Sequence, residues 1–272
     1  MITNSTAKLI LDGAEAVSTD LGLTENVVKR TDKGVLLNSV FLTYESLIKI
    51  SHREDSVYFG TPNGVFQVAI HEKHYYKLVP TSGAPTIEID GIRMHRTSGI
   101  TPDRDTFNKL DALGLVHGNV LDTCTGLGYT AIEAAKRGAN KVITVDLQPN
   151  VLRIAKMNPW SSDLFALVDI HKIIADVFNA VDLLPNRFFD CVIHDPPRHR
   201  QAGKLYSGTF YKKLYRVLRR GGKMYHYTGE PRSRYRGVNF PRGVSKRLGE
   251  AGFVDLLYHK DSMGFTCTKG SV

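Results

Sequence analysis

The spacing of hydrophobic and polar residues changes near residue 97 of this 272-residue chain. Beyond that point, short apolar runs alternate with segments in which apolar residues recur every three or four positions. Such alternation predicts a mostly parallel sheet with helices on both of its faces. The predicted strands are centred near Val120, Val142, Ile170, Cys191 and Met224. The predicted helices span 102–113, 129–137, 150–157 and 208–219, the last with a cap at 220–222. A closing antiparallel pair is predicted at 253–258 and 265–268.

The residues before position 97 carry mainly strand signals. Runs such as 34–42 are rich in β-branched and aromatic residues, and the Asp90-Gly91 pair between alternating apolar residues predicts a hairpin. An amphipathic helix is expected over 6–21. We therefore predict a small mixed, β-rich domain at 1–97 and a Rossmann-like α/β domain at 98–272.

Composition narrows the class of protein. Lysine and arginine total 36 against 27 acidic residues, a formal charge of +9 that favours a polyanionic partner, although basic enzymes with small substrates also exist. The cysteines are far apart and odd in number, so neither a disulfide framework nor a zinc site is predicted. No apolar stretch approaches membrane-spanning length, and no signal peptide is recognisable. We therefore expect a cytoplasmic protein with neither a membrane partner nor a metal.

A turn that contains two glycines follows the strand ending at Asp122. Gly126 and Gly128 allow the backbone to approach a ligand, and the next helix presents free N–H groups. The spacing departs by one residue from the dinucleotide pattern G-x-G-x-x-G, and no P-loop lysine follows. Asp122 would repel a pyrophosphate, but it suits a ligand with a cationic amine, such as the methionine part of S-adenosylmethionine.

Two further acids end the next predicted strands. Asp146 follows VITV, where a carboxylate can accept both hydroxyls of a ribose, and Asp176 follows IIA, within reach of an adenine amine. An isolated acid in such a position is usually a helix N-cap or part of a solvated turn. Three acids at three successive strand ends, together with the glycine turn, favour a nucleotide-like cofactor.

Residues 118–228 resemble the class I S-adenosylmethionine-dependent methyltransferases. The resemblance implies a seven-stranded, mostly parallel sheet with an antiparallel closing strand, and S-adenosylmethionine as the cofactor. It assigns Asp122, Gly126 and Gly128 to the methionine moiety, Asp146 to the ribose and Asp176 to the adenine. Cys124 stands where that family usually has its first glycine. The predicted cofactor site also includes Cys124, Tyr129, Leu147 and Val177.

The fourth predicted strand ends in the run His194-Asp195-Pro196-Pro197-Arg198. Two prolines fix φ twice, so the Asp195 carboxylate and the nearby main-chain oxygens form a stiff row of acceptors for an exocyclic amine. When an amine is held in line with a sulfonium methyl group, this orientation supplies most of the rate enhancement. Asp195 or His194 would receive the proton that the product amine sheds. The simpler alternative is that Pro196 and Pro197 only end the strand.

This run resembles the Asp/Asn-Pro-Pro-aromatic motif of amino methyltransferases that act on adenine N6, cytosine N4 or guanine N2. Arg198 stands where that motif has an aromatic residue. Either Arg198 stacks on the base through its guanidinium plane, or another residue does so. The other candidates are Tyr206, Phe210 and Tyr129.

A basic segment at 230–247 follows the fifth predicted strand. It contains Arg232, Arg234 and Arg236, with aromatic residues interleaved. Arginines among aromatics suit phosphate contact and base stacking, so we expect this segment to bind RNA. A solvated basic face is the commoner explanation of a charge run.

Three runs resemble an archaeal methyltransferase family with a β-rich N-terminal part. They are DTCTGLGYTAIEAAKRGA, DPPR and FYKKLYRVLRRGGKMYHYTGEP. The resemblance implies an archaeal source and a nucleic-acid base amine as acceptor. We choose RNA over DNA, and cytidine N4 in ribosomal RNA as the specific expectation. The sequence predicts no oligomeric state.

Two alternatives stay open. The first is an aminopropyltransferase of the spermidine-synthase type, which alkylates an amine on the same kind of fold. The basic region beyond Asp195 disfavours it, because a polyamine site needs several acids. The second is a non-catalytic RNA-binding relative, which the intact set of acids at the strand ends disfavours.

Overall fold

The computed structural model of the chain describes residues 1–198, 202–229 and 240–270. These residues pack into two units. The first comprises 1–103 with 150–162, and the second comprises 104–149 with the described residues from 163 onward. The domain boundary after residue 97 stays a prediction.

Residues 1–93 of the first unit form two helices and four small antiparallel sheets. The helices are α1 (Asn4–Leu11) and α2 (Tyr44–Ser51). The strands are β1 (Ala16–Val17), β2 (Asn26–Val27), β3 (Lys29–Thr31), β4 (Gly34–Leu37), β5 (Val40–Thr43), β6 (Tyr58–Thr61), β7 (Gly64–Gln67), β8 (Ala69–His71), β9 (Tyr75–Val79), β10 (Thr86–Ile89) and β11 (Ile92–Arg93). Their pairing orders are β1-β2, β3-β4-β5, β6-β7 and β11-β10-β9-β8.

Both helices of this part begin at threonine caps. Thr3 and Thr43 each accept the main-chain N–H three residues further on, both at 3.2 Å. The predicted helix over 6–21 is too long, because the chain leaves α1 after Leu11 and its next residues pair with β2. Helix α2 was not predicted, because eight residues directly after a strand give little periodic signal.

The hairpins follow local turn chemistry. The single strand predicted over 34–42 is instead the hairpin β4–β5, because Asn38 and Ser39 both take positive φ and reverse the chain. The hairpin predicted at Asp90-Gly91 is confirmed as β10–β11.

A seven-stranded sheet organises the second unit. Its strands are β12 (Gly118–Asp122), β13 (Ala139–Asp146), β14 (Ile170–Ile174), β15 (Phe189–His194), β16 (Leu218–Tyr227), β17 (Phe253–His259) and β18 (Gly264–Lys269). Their order is β14-β13-β12-β15-β16-β18-β17, parallel as far as β16 and antiparallel beyond it. This confirms the predicted Rossmann-like sheet and its closing antiparallel pair.

Helices alternate with these strands along the chain. They are α3 (Pro102–Leu113), α4 (Tyr129–Lys136), α5 (Pro149–Met157), α6 (Ser162–Ala166), α7 (Val177–Ala180), α8 (Gly208–Val217) and α9 (Phe240–Glu250). The cap predicted at 220–222 is wrong, because α8 ends at Val217 and β16 begins at the next residue. Gly221 and Gly222 instead lie in a bulge of β16, where its pairing with β15 shifts register.

The strand order reverses at β12, which pairs with β13 on one side and β15 on the other. The carboxyl ends of these three strands therefore meet at one edge of the sheet, the position at which open α/β sheets bind ligands. The core around them is apolar, with Leu121, Val145 and Val192 almost fully buried. The core thus fixes the strand ends that carry the candidate site.

Candidate active site

Asp122 ends β12 and is completely buried. Its carboxylate accepts the hydroxyl of Thr144 at 2.7 Å and that of Thr130 at 3.2 Å. Burial raises the pKa of Asp122 to about 7, and the charge of Asp195 adds to the rise while the Thr144 hydrogen bond opposes it. The predicted direct contact between Asp122 and a cationic amine is not met in this structure, because the carboxylate has no exposed surface.

The turn after Asp122 takes its shape from two glycines. Gly126 has φ of +53° and Gly128 has φ of +83°, a region that favours glycine. A Cβ on Gly128 would lie 2.6 Å from Cδ2 of Leu164. The Gly128 N–H donates to the carbonyl of Thr125 at 2.7 Å, and the Gly128 carbonyl accepts the N–H of Ile132 in α4 at 2.9 Å. The turn therefore passes directly into the helix, as the sequence predicts.

Asp146 ends β13 and braces the same turn. Its Oδ2 accepts the N–H of Gly126 and its Oδ1 accepts the N–H of Gln148, both at 2.9 Å. Burial raises the pKa of Asp146, and the main-chain donors oppose that rise. A carboxylate oxygen can accept more than one hydrogen bond, so Asp146 keeps capacity for ribose hydroxyls. The neighbouring Leu147 is exposed.

Cys124 lies among these acids. Its side chain is partly buried. Burial, followed by the charges of Asp146, Asp122 and Asp195, raises the pKa of the Cys124 thiol well above its usual range. The thiol therefore stays protonated, and its neighbours show that the ends of β12, β13 and β15 bring three predicted acids together.

Asp176 follows β14 and caps α7. Its Oδ1 accepts the N–H of Phe178 at 3.0 Å, and the ammonium of Lys204 lies 3.3 Å from its Oδ2. The side chain of Val177 next to it is buried. The structure thus shows the N-cap role for Asp176, and contact with an adenine amine stays a prediction.

Asp195 belongs to a buried ion cluster that the sequence analysis missed. The ammonium of Lys109 lies 2.6 Å from Oδ2 of Asp195 and 2.7 Å from Oδ2 of Asp105. It also lies 4.7 Å from the centre of the Tyr227 ring. Lys109 and Asp105 are 4% and 1% exposed. Burial alone would lower the pKa of Lys109, but the charges of Asp195 and Asp105 raise it far above its usual range.

His194 is a buried structural group. Its Nε2 must donate to the carbonyl of Leu205, at 2.9 Å, so its Nδ1 accepts the hydroxyl of Thr123 at 2.7 Å. Burial lowers the pKa of His194 to about 4. The prediction that His194 receives the product proton is therefore wrong, because both ring nitrogens are engaged and burial disfavours the charged form. Asp195 is left as the candidate acceptor.

The two prolines after Asp195 are held from within the fold. Pro196 is buried and Pro197 is partly buried. The Tyr206 hydroxyl donates to the carbonyl of Pro197 at 3.0 Å. One main-chain oxygen of the expected acceptor row is therefore fixed by a hydrogen bond, as a stiff segment requires.

Two of the residues predicted to stack on a base lie in the core. Tyr206 is 2% exposed and Phe210 is fully buried, with its ring 5.8 Å from the Phe178 ring in a stacked arrangement. A base cannot reach either face of an enclosed ring, so this prediction is wrong for both residues. Tyr129 is 8% exposed, whereas Arg198 is exposed and stays the leading candidate.

The central part of the basic segment lies outside the described residues. That part includes Arg232, Arg234 and Arg236, whose contact with RNA stays a prediction. Further along the segment, the Arg247 guanidinium donates to the carbonyl of Tyr206 at 2.9 Å. Arg247 therefore anchors α9 within the fold.

One signal could have suggested part of the ion cluster. Asp105 and Lys109 are four residues apart in α3, a spacing that places opposite charges side by side. Nothing local links them to Asp195, which lies 86 positions after Lys109.

No helix within the described ranges is long and apolar enough to cross a membrane. Within the same ranges, no group of three or more histidine, cysteine, aspartate and glutamate side chains is placed to hold a metal ion.

Comparisons with known proteins identify relatives that match either nearly the whole chain or only part of it. A sequence family described as "Conserved hypothetical protein 95" matches residues 103–225. "Uncharacterized protein MJ1233" of Methanocaldococcus jannaschii is 44% identical over 276 residues, which cover 98% of this chain and 95% of that protein. "Putative protein N5-glutamine methyltransferase MJ0928" of the same organism is 30% identical over 113 residues, covering 41% of this chain and 53% of that protein.

A solved structure shares the fold. The crystal structure of spermidine synthase from Thermotoga maritima aligns with a TM-score of 0.57 and 18% identity, covering 81% of this chain and 80% of that one. At this identity the likeness concerns the fold alone.

Proposed function

We propose a methyltransferase function for this chain, which belongs to the same family as the uncharacterized protein MJ1233 of Methanocaldococcus jannaschii. The chain transfers a methyl group from S-adenosylmethionine to an exocyclic amine of a nucleic-acid base, and cytidine N4 in ribosomal RNA is the specific acceptor. One observation carries the proposal. The partly exposed carboxylate of Asp195 lies at the sheet edge that also bears the glycine turn, where the strand order reverses.

S-adenosylmethionine fits the residues at this edge. Gly126 and Gly128 bring the main chain close to a ligand without a Cβ, and Asp146 keeps acceptor capacity for ribose hydroxyls. The cluster of carboxylates suits a cationic ligand and disfavours a pyrophosphate. When bound, S-adenosylmethionine supplies a sulfonium methyl group, whose carbon–sulfur bond breaks with its electron pair going to sulfur as the amine nitrogen bonds to carbon.

Asp195 orients the acceptor amine. Its Oδ2 is occupied by Lys109, whereas its Oδ1 accepts no hydrogen bond from the part of the chain that the structure describes. An amine that donates an N–H to Oδ1 is held at the sheet edge that bears the glycine turn, where its lone pair can meet the methyl group. The nitrogen becomes cationic on transfer and sheds a proton, which Asp195 receives. Orientation supplies most of the rate, because the methyl group is already electrophilic.

A nucleic-acid acceptor agrees with the charge of the chain. The net charge is +9, and Arg198 is exposed directly after the Asp-Pro-Pro run. A guanidinium plane can contact both a phosphate and the face of a base. The name of the partial relative MJ0928 concerns a glutamine nitrogen, which supports nitrogen as the acceptor atom and leaves the choice of molecule to experiment.

An aminopropyltransferase is the second candidate, and the fold shared with spermidine synthase favours it. Lys109 disfavours it, because the lysine ammonium offsets part of the attraction between the Asp195 carboxylate and a protonated polyamine at Oδ1. Two unit charges about 5 Å apart repel by about 3 kcal/mol at an effective dielectric constant of about 20. An aromatic base amine is uncharged and escapes this repulsion.

The two candidates separate in one incubation series. The protein is given methyl-labelled S-adenosylmethionine with ribosomal RNA or DNA, and labelled decarboxylated S-adenosylmethionine with putrescine or spermidine. We expect label in RNA, recovered as N4-methylcytidine after digestion to nucleosides. Label that appears in the polyamine fraction and not in nucleic acid would replace the first candidate with the second.

A further inference from the structure

The buried ammonium of Lys109 contacts two carboxylates, although one would be enough to neutralise its charge. A buried ammonium needs an acidic partner. Asp105, which is also buried, supplies one from the preceding turn of the same helix, 2.7 Å away. Asp195 is a second carboxylate, brought from the segment after β15 to within 2.6 Å. Its presence therefore needs a reason other than the neutralisation of Lys109.

Exposure indicates which member of the cluster meets a ligand. The side chains of Lys109 and Asp105 are 5% and 2% exposed, whereas that of Asp195 is 19% exposed. Lys109 and Asp105 are thus fixed inside the unit. Asp195 is the member of the cluster that reaches the surface. A ligand at this sheet edge would contact Asp195 and would feel Lys109 through it.

We propose that Lys109 is the positioning residue of the methyl-transfer site, whose ammonium holds Oδ2 of Asp195 so that Oδ1 faces an uncharged substrate amine. The inference rests on the proposed function. It assigns the geometry of the acceptor carboxylate to a residue of α3 that lies outside the Asp-Pro-Pro run. It also favours amines that carry no charge when they bind, because Lys109 offsets the attraction of Asp195 for a cation.

Acidic and phenolic groups from several elements face Asp195. Its charge acts on Asp122 at the end of β12, on Cys124 in the turn, on Tyr206 before α8 and on Tyr225 in β16. Loss of the lysine would leave Asp195 among groups that disfavour a negative charge. Like charges would then turn the carboxylate away from these groups once its contact with Lys109 is gone. The acceptor amine would lose its hydrogen-bond partner at Oδ1, so the variant should lose activity through the orientation of Asp195.

The test uses three variants of the full chain. Lys109→Met removes the ammonium and keeps the length of the side chain. Asp105→Asn combined with Lys109→Met also removes the buried acid that would otherwise lose its partner, so this double variant guards against a failure to fold. Lys269→Met is the matched control, because Lys269 is 6% exposed, belongs to the same unit, and donates to the carbonyls of Tyr215 and Leu218.

We expect the double variant to lose about 100-fold in kcat at pH 7, the scale of a displaced acid–base group. Its KM for RNA and its affinity for S-adenosylmethionine should stay within about threefold, so that the loss falls on kcat. The control should keep kcat within about threefold of the wild type. Equal losses in the double variant and the control, or a loss that falls on KM or on cofactor affinity and not on kcat, would overturn the positioning role.

Crystal structures supply a readout that needs no substrate. In the double variant the Asp195 carboxylate should leave its wild-type orientation, and in Lys269→Met it should keep it. An unchanged Asp195 in the double variant would overturn the inference whatever the acceptor proves to be. Conversely, a wild type that transfers no methyl group to nucleic acid, with Asp195 displaced in the variant, would refute the proposed function and uphold the positioning contact.

Discussion

Asp122→Asn tests whether the buried acid at the end of β12 holds a proton near neutral pH. The folded-state pKa of Asp122 is about 7, against an ordinary value of 3.8, mainly because the group is buried. The folded protein therefore binds this proton more tightly than the unfolded chain does. Below pH 3.8 Asp122 is protonated in both states and does not reduce the free energy of unfolding. As the pH rises from 3.8 to about 7, the unfolded chain loses this proton and the folded protein keeps it, so the free energy of unfolding falls, and the fall is complete above about pH 7.

The difference of about 3 between the two pKa values corresponds to about 4 kcal/mol in total. About 2–3 kcal/mol of this falls between pH 5 and pH 8 for a single group with those two pKa values. Asparagine cannot ionise, so the wild type should lose about that much free energy of unfolding relative to Asp122→Asn over this range.

Urea unfolding followed by circular dichroism at several pH values measures the difference. Asp169→Asn is the control, because Asp169 is exposed in the same unit. The stability of the control relative to the wild type should change by less than about 0.5 kcal/mol over the range. A stability difference between wild type and Asp122→Asn that stays constant from pH 5 to pH 8 would refute the reasoning.

Three further predictions concern the same unit. Thr123→Val removes the hydroxyl that donates to Nδ1 of His194 and should cost about 1–3 kcal/mol in urea unfolding, because a buried acceptor loses its partner. Gly128→Ala should weaken S-adenosylmethionine binding by calorimetry, because its Cβ would lie 2.6 Å from Leu164 at positive φ, whereas the control Gly249→Ala has no neighbour within 4 Å and should bind normally. Replacing Arg232, Arg234 and Arg236 with alanine should weaken RNA binding and flatten its dependence on salt in fluorescence anisotropy, and an unchanged affinity would reject the role of the basic segment.

The sheet and the cofactor end could be predicted because their signals are local. Apolar runs and helical periodicity identify strands and helices one at a time, and the strand ends then meet at one edge without further information. Asp122, Asp146 and the turn at Gly126 lie together for this reason. The predicted contact between Asp122 and a cationic amine is not met. The sequence around Asp122 does not show that Thr130 and Thr144 donate to its carboxylate and enclose it.

The acceptor end depends on contacts between distant positions. Lys109 reaches Asp195 across 86 residues, and Thr123 reaches His194 across 71. His194 resembles a catalytic base because it precedes Asp195, but successive strand residues point to opposite faces, and its ring lies in the core. Phe210 likewise resembles a stacking platform in the sequence, and the packing of α8 buries it.

In the proposed function, Asp195 directs methyl transfer to a base amine. The most direct test measures N4-methylcytidine by mass spectrometry in ribosomal RNA treated with S-adenosylmethionine and either the wild type or Asp195→Ala, with cofactor affinity measured in parallel. We predict that the wild type produces the methylated nucleoside, and that the variant produces none above background while binding S-adenosylmethionine normally. Normal turnover by Asp195→Ala would contradict the claim.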